Sequence, residues 1–545
     1  MGRISESLRA FSTSFANPQL RRLQVAGLGS TLGNWAYGVA LAVYAYHQGG
    51  TRTVGLLLAV RWGLSAAAAP WLAVLADRIS RRRVMLVSDV VRIGLVGGIA
   101  ALVAGHGPAL AVYALAVASS AASTAFQPAQ AALLPSLAVT PEELTSANVA
   151  MSTIGSVGML AGPALGGVLL AVSRPWVVFA VTAATIAWSA ACVLRIRADR
   201  PPARVGGAEP LLSSLLAGFR AIGSQPALRV VVGLTGAQTL VTGAFEVLLV
   251  VVALRLVHAG NSGVGWLNAA FGVGGVLGAL VVAALAGRKR LAADLGLGVL
   301  LWGVPMALVA VWANLGFALL LVAVIGIGNT LADVAGMTLL QRTAADEVLG
   351  RVFGVLESLI LATLAIGAAI APALVSALGI RTTLVLAGLV LPVVVLVLAP
   401  KLRAIDAATG VPVEALELLR SIAFLGVLPA PALERLAIAA APVAVSAGET
   451  VFARGDAGDR FYAVASGRVA VDVGGEAREL GPGEFFGEIA LLRDVPRTAT
   501  VRALDDVRLY ALERDDFIAA VTGHAPSREA AEHVVAVRLP AGVGL

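Results

Sequence analysis

The stretch FFGEIALLRDVPRTATV, Phe485 to Val501, decides how the C-terminal part of this chain is read. Gly487 has no Cβ to obstruct a close approach, and the EIALL that follows can form a short helix whose first-turn N–H groups lack intrahelical partners. An anion suits that position. Glu488 offers a carboxylate to a sugar hydroxyl, and Arg497, behind a Pro496 that fixes the turn, offers a guanidinium fork matched to phosphate oxygens. Together these residue types describe a sugar phosphate. The competing use of the same side chains is a plain Glu488–Arg497 salt bridge, a kind of pair that adds little to stability.

Upstream, SAGETVFARGDAGDRFYAVASGRVAV (446–471) alternates apolar positions with turns at Gly448, Gly455 to Asp459 and Gly467, the pattern of a small antiparallel jelly roll. VEALELLRSIAFLGVLPAPALERLA, Val413 to Ala437, has helical periodicity, and RDDFIAAVTGHAPSREAAEHVVAVRL, Arg514 to Leu539, reads as closing helices.

Taken without a gap, Phe485–Val501 resembles the phosphate-binding cassette of cyclic-nucleotide-binding domains, the family of protein kinase A regulatory subunits and nucleotide-gated channels. Residues 449–469 resemble the same family independently. The resemblance implies a β jelly roll flanked by α-helices over 413–545, a regulatory ligand (cAMP or cGMP) and no cofactor. It implies Glu488 on the ribose 2′-hydroxyl, Arg497 on the cyclic phosphate, and the N–H groups of Gly487, Ile489, Ala490 and Thr498 on the remaining oxygens. Phe486 and Ala499 complete the cassette. In the family a Thr at position 498 can bond the guanine amino group, yet some cAMP-responsive members also carry it; the abundance of cAMP in bacteria favours cAMP. Val534 and Val537 are candidate caps over the base, or simply the apolar face of an amphipathic helix. The residues after Tyr510 hold the closing helices without room for a winged helix as well, which argues against a transcription factor.

The rest of the chain is of another kind. With 58% hydrophobic residues, 13% charged and a mean hydropathy of +0.87, most of the 545 residues belong in a membrane. The net charge of +7 falls mainly in short arginine clusters between apolar runs, as membrane topology requires, so no nucleic-acid partner is read from it. Cys192 stands alone in an apolar segment and no histidines have ligand spacing, so neither a disulfide framework nor a metal site is expected. MGRISESLRAFSTSF lacks the apolar core and small-residue site of a removable signal peptide. No nucleophile elbow or phosphate loop is present, so an enzyme is not expected.

Apolar runs of about 20 residues, the length that spans hydrocarbon as a helix, recur some twelve times. They fall near 20–46, 53–76, 83–104, 109–134, 144–171 and 176–195, then 228–256, 263–286, 291–312, 315–340, 349–376 and 380–399. The expected fold class is an all-α membrane protein of two six-helix halves, 1–195 and 228–400, followed by the jelly roll. The Arg-rich loop 196–227 joins the halves, its LLSSLLAGFRAIG (211–223) reading as an amphipathic segment on the membrane surface; residues 401–412 form a linker. Arg21 and Arg22, Arg78 to Arg83, Arg195 to Arg204, Arg288 to Arg290, and Lys401 with Arg403 all fall on one side, which the positive-inside rule makes cytoplasmic. HQGGTRT, GHGP, HAGNSG and LGIRT fall on the other. Both termini and the jelly roll are therefore expected in the cytoplasm, against a plasma (inner) membrane.

The halves also look like repeats. LLPSLAVTPEEL then GMLAGPALGG (133–144 and 158–167) echoes LLQRTAADEVLG then GAAIAPALVS (339–350 and 367–376), with Gly158 and Pro163 spaced as Gly367 and Pro372. Residues 20–400 resemble the major facilitator superfamily. LADRISRRR (75–83) is similar to its loop signature through Asp77, Arg78 and Arg81 to Arg83, although Ala73 and Ser80 stand where the family has glycine. GMLAGPALGG matches the antiporter signature through Gly158, Gly162, Pro163, Gly166 and Gly167; small-residue helix packing is the simpler use of the same glycines. The arginine that many drug antiporters carry in the fourth span is absent from YALAVASSAASTAFQPAQ (113–130).

Ionisable groups at membrane depth are costly unless paired or hydrated. Arg61 lies in the second span; Asp89 and Arg92, one turn apart in the third, can pair locally. Glu246, in GAFEVLLVVV, has no local partner and is the candidate proton carrier. Asp333 and Glu357 are further candidates, or members of a charge network with Arg342 and Arg351. These positions resemble the branch that includes macrolide and enterobactin exporters. The expected function is a secondary active transporter exporting amphipathic molecules, possible proton coupling included, and regulated by the nucleotide. Two other readings fit the same residues: a membrane-anchored nucleotide sensor that does not transport, and a transporter of cyclic nucleotides.

Overall fold

The computed structural model describes residues 15–78, 80–138, 141–197, 211–285, 290–343, 346–409, 412–473 and 476–538. The chain divides into two compact units, the first Met1–Leu340 with Ala344–Arg403 and the second Gln341–Thr343 with Ala404–Leu545.

The first unit is helical throughout. In hydrocarbon no water satisfies backbone N–H and C=O groups, so runs rich in Leu, Ala and Val satisfy them internally as helices. Among the described residues nine helical segments from Arg81 onward are long and apolar enough to cross a membrane. The last of these, Arg351–Ala407, belongs to the helix Asp346–Thr409, and the chain begins with a comparably long helix, Pro18–Arg78. Each long helix is two spans joined without a loop. Pro18–Arg78 breaks at Gly49 and Gly50, where Gly50 has φ 65°, and Asp346–Thr409 breaks at Gly379, φ 78°. A Cβ at Gly50 or Gly379 would meet open space, so it is the positive φ, strained for L side chains, that calls for glycine at these turns. The arms of the first helix fold back, since Arg61 lies over the Tyr37 ring at 5.6 Å. Counted this way there are twelve spans among the described residues, six to each half, as the apolar runs indicate. Leu110, Val172, Leu396 and Val397 are each at least 70% exposed, which suits a surface covered by lipid.

Three local features refine the sequence reading. The fourth span is interrupted, Ala109–Ser123 and then Phe126–Leu137, where Ser123 and Thr124 turn their hydroxyls onto the Ser120 carbonyl at 2.7 and 3.2 Å. Such bonds compete with the helical ladder. The amphipathic segment forms a helix, Leu211–Ser224, that does more than lie on a surface: at Gly218 a Cβ would come within 2.6 Å of the Arg351 carbonyl, so the helix packs against the C-terminal half. The helical periodicity from Val413 to Ala437 takes shape as helix, but not as a single rod. It is three pieces, Val413–Ser421, Ala423–Gly426 and Ala430–Ala439, because Ile422 is extended and Pro429 bars helical conformation from the residue before it.

In the second unit eight strands form two four-stranded antiparallel sheets, β1(Ala441–Val445)–β8(Val507–Glu513)–β3(Arg460–Ser466)–β6(Phe485–Phe486) and β2(Thr450–Phe452)–β7(Thr500–Ala503)–β4(Val469–Val473)–β5(Glu476–Leu480). Two cores share the first sheet. Because side chains alternate along a strand, Phe461 and Ala463 face the helices while Tyr462 and Val464 face the second sheet. Phe485 and Phe486 divide the same way, one toward each core, immediately before the Gly487 turn.

Candidate functional site

β6 ends at Phe486, and Gly487 follows with φ 90°. A Cβ there would lie 2.7 Å from Arg497 Nη1 and 3.0 Å from the Arg460 carbonyl, so the turn is open to glycine alone. The helix Glu488–Arg493 then starts with Glu488 in its first turn and ends at Asp494, whose carboxylate is held by Arg514. Arg514 also donates to the Gly458 carbonyl at 3.1 Å, tying the far end of the cassette to the β2–β3 turn.

Arg497 and Glu488 are both buried, but they do not pair with each other. Arg497 Nη2 donates to Asp459 Oδ1 at 3.0 Å and Nη1 to the Gly487 carbonyl at 3.2 Å, with the guanidinium 4.2 Å above the Phe452 ring. Its Nε is buried with no hydrogen-bond partner. A buried donor left unmade is costly, so a cation with a spare N–H beside a glycine turn and a helix start fits an anionic oxygen. Glu488 Oε1 accepts from Arg538 Nη1 at 2.9 Å; the same nitrogen donates to the Phe485 carbonyl at 2.9 Å, and the Arg538 guanidinium lies 4.1 Å over the Phe485 ring. Burial pushes the Glu488 carboxyl above its ordinary range, with Arg538 and then Arg497 pulling it partly back. Ala490 and Ala499 are buried beside these groups, and Ile489 and Thr498 are half-buried.

Of the two candidate caps, Val534 packs against the core formed by Phe424, Phe461 and Phe517. The Val537 side chain lies outside the described residues. Sequence reasoning missed Asp459, Arg538 and Phe452, since each meets the cassette across the fold and not along the chain.

Within the first unit the ionisable residues take specific partners. Asp89 and Arg92 pair at 3.8 Å as expected, Ser189 donates to Asp89 at 2.7 Å, and Arg92 continues to Ser30 and Asn34. Arg61 Nε donates to Ser120 Oγ at 2.7 Å. Asp333 accepts from Asn329 at 2.8 Å, and Asn329 in turn accepts from Trp302 at 3.0 Å. Glu357 is exposed, and Arg81 donates to the Ala132 carbonyl at 2.8 Å. The side chains of Asp77 and Arg78 lie outside the described residues. Glu246 accepts from Trp62, on the opposite half, at 3.0 Å.

The glycines of GMLAGPALGG serve two different contacts. Gly158, Gly162 and Gly166 lie against Thr31, Leu32 with Trp35, and Ala36 of the first span, so they draw helices of one half together. Gly167 faces the other half, where a Cβ would meet Gly265 Cα at 3.0 Å and the Ser262 carbonyl at 3.1 Å. Pro163 lends its carbonyl to the same contact with Gly265. The second repeat mirrors this: Gly367 lies against Leu240 of its own half, while Ala368 and Pro372 meet Gly55 across the interface. At the end of this seam His47 and Asn261 are hydrogen-bonded at 2.7 Å.

Residues 24–256 and 234–453 match the Major Facilitator Superfamily, and residues 442–524 match the cyclic nucleotide-binding domain. The chain belongs to the Major Facilitator Superfamily and carries a C-terminal cyclic nucleotide-binding domain. It is similar to the multidrug efflux pump Tap of Mycolicibacterium fortuitum, 29% identical over 350 residues, 61% of this chain and 83% of the relative. A POT family transporter in complex with a thioalcohol-conjugated peptide shares the fold over 72% of this chain and 99% of its own, with TM-score 0.56 and 15% identity. The regulatory domain of Toxoplasma gondii PKA with cAMP is 32% identical over 22% of this chain, with TM-score 0.20, and the match spans about half, 47%, of that relative's length. This chain is thus a multi-pass membrane transporter homologous to an efflux pump.

Proposed function

We propose that the chain is a secondary active transporter that exports amphipathic small molecules and whose alternating access is biased by cAMP or cGMP bound at Glu488 and Arg497. The observation that carries the nucleotide reading is the buried, unpartnered Nε of Arg497 beside Gly487. Arg497 and the N–H groups of Gly487, Ile489, Ala490 and Thr498 take the cyclic phosphate, and Glu488 takes the ribose hydroxyl. The efflux relative supports export, and no enzymatic step is invoked. Glu246, Asp333 and the Asp89–Arg92 pair are the transport groups, with Glu246 carrying the proton.

The basic loops support a cytoplasmic position for the termini, residues 401–412 and the domain 413–545, with the His47–Asn261 end facing outward. Regulation needs only that nucleotide binds one conformer better, a coupling of about 1–3 kcal/mol or roughly 5- to 150-fold. The test is efflux of ethidium from proteoliposomes of the full-length chain, with and without cAMP or cGMP inside the nucleotide-facing compartment. Flux that changes with nucleotide in the wild type and not in Arg497→Ala is expected; equal flux despite measured binding would sink the regulatory reading.

A further inference from the structure

The partner of Glu246 comes from 184 positions earlier in the chain, across the interface between the halves: Trp62 Nε1 donates to Glu246 Oε2 at 3.0 Å. Its neighbour Arg61 turns away, because successive helix positions are about 100° apart. Arg61 bonds Ser120 and lies over Tyr37, both in its own half. An indole N–H is a donor only, so Trp62 can hold nothing but an acceptor, and the strength of its bond follows the charge on Glu246.

The bond also stands at a telling depth. From Gly55, which meets the Ala368 carbonyl across the seam at 2.6 Å from its Cβ position, Trp62 is two turns further along, about 10 Å of helical rise. Gly63 beside it faces Ala365 of the other half at 3.9 Å. Trp62 and Glu246 therefore join the halves about two turns deeper than the Gly55 contact, well inside the seam that has His47–Asn261 at its end.

The charged groups nearest this bond by the contacts of their helices are Arg61, next to Trp62, and Asp333, whose partner Asn329 accepts from Gln238 of the Glu246 helix at 3.4 Å. Among the described residues the Gly260–Leu285 helix brings no titratable group. His47 and Arg52 stand near the end of the seam, Arg255 lies over Tyr46, and Arg220 of Leu211–Ser224 precedes the first turn of the helix that carries Glu246. The Asp346–Thr409 helix meets this helix from Leu359, against Gly236, to Leu364, against Gly243, so Glu357 stands beside the Gly236 contact, between two and three turns before Glu246, and Arg351 and Arg381 lie further off.

We propose that Trp62 is the positioning residue that couples the charge on Glu246 to closure of the two halves. The inference rests on Glu246 as the proton carrier and adds how the proton is felt. A carboxylate accepts a charge-assisted bond about twice as strong as a neutral one. When a proton from solvent adds to Glu246, the carboxyl accepts only a neutral hydrogen bond, about half as strong, the indole keeps its own hydrogen, and the equilibrium shifts toward parted halves. One proton is taken up and none leaves Trp62.

The test uses the full-length chain in nanodiscs with Cys192→Ser and spin labels at Gln48 and His258, exposed positions flanking the His47–Asn261 contact. In the wild-type background the long-distance population grows from alkaline to acid pH. Trp62→Phe keeps the ring and removes the donor, so at alkaline pH the long-to-short ratio rises about tenfold and the pH response is lost. Trp62→Met is a second donor-free variant should the first not fold, and Trp62→Gln, which restores an N–H, recovers part of the response. Glu246→Gln also abolishes the response, and the double variant shows no further change because both act through one bond. A wild-type response in Trp62→Phe or Trp62→Met, with Glu246→Gln unresponsive, overturns the role of Trp62 and leaves Glu246 as the proton carrier. A response unchanged by Glu246→Gln overturns both.

Discussion

Arg538 reaches 2.9 Å from Glu488 Oε1, so the buried carboxylate of the cassette is tied to the last described turn of the closing helix Ala525–Arg538. Glu488 has a side chain 3% exposed, and removing its cation leaves a buried carboxylate without its ion pair. Arg538→Ala is expected to loosen that helix by about 1–3 kcal/mol, given that Arg538 is itself partly exposed. Hydrogen exchange on the full-length protein reads this as faster exchange over 525–538. Unchanged rates would mean that Ser527, bonded to the Phe424 carbonyl at 2.7 Å, anchors the helix alone.

Arg497→Ala is expected to weaken cAMP binding by about 2–5 kcal/mol, roughly 30-fold to several thousand-fold. Arg497→Lys keeps the charge but loses the fork and should recover little of it. Asp459 is 67% exposed at its side chain, so its loss of a partner costs little and the sheets should stay protected from exchange. Titration calorimetry with the full-length chain checks the affinity; wild-type binding in Arg497→Ala would remove the guanidinium from the site.

Gly487→Ala should cost at least about 1–3 kcal/mol, because alanine at φ 90° is strained and its methyl would displace the Arg497 guanidinium. Binding should fall with stability. A variant that unfolds no earlier and binds as well as the wild type would show that the turn can adopt another conformation.

Burial holds Glu488 above its ordinary value of 4.5, so the folded state binds that proton more tightly than the unfolded state. The group's stabilising contribution is complete below the unfolded value and is lost as pH rises toward the folded one. Relative to Glu488→Gln, the wild-type domain without nucleotide should lose protection as pH rises out of the acid range. Exchange of β3 and β8 amides, compared between the two proteins at each pH, measures the difference; a difference independent of pH would contradict the shift.

Gly265→Val places a branched side chain against Gly167, where the backbones of the two halves approach. The seam should part, and cysteines substituted at His47 and Asn261 should crosslink at least about tenfold less, as expected for steric overpacking of a few kcal/mol. Gly158→Ala acts against Thr31 within one half and should leave that crosslink largely intact.

Several features were settled by the chain alone, because their causes are local or periodic. Apolar runs long enough for hydrocarbon can only be helices, so the twelve spans and their pairing into repeats follow from composition and spacing. Gly487, Glu488 and Arg497 lie within one short stretch, so their residue types by themselves raise the sugar-phosphate proposal. Tertiary structure decided what these groups touch. Asp459 lies 38 positions from Arg497, Arg538 lies 50 from Glu488, and Trp62 lies 184 from Glu246, separations at which no sequence period predicts a contact. It also divided four identical-looking glycines into three that pack one half and one that faces the other, a distinction set by which helix arrives opposite each Cα.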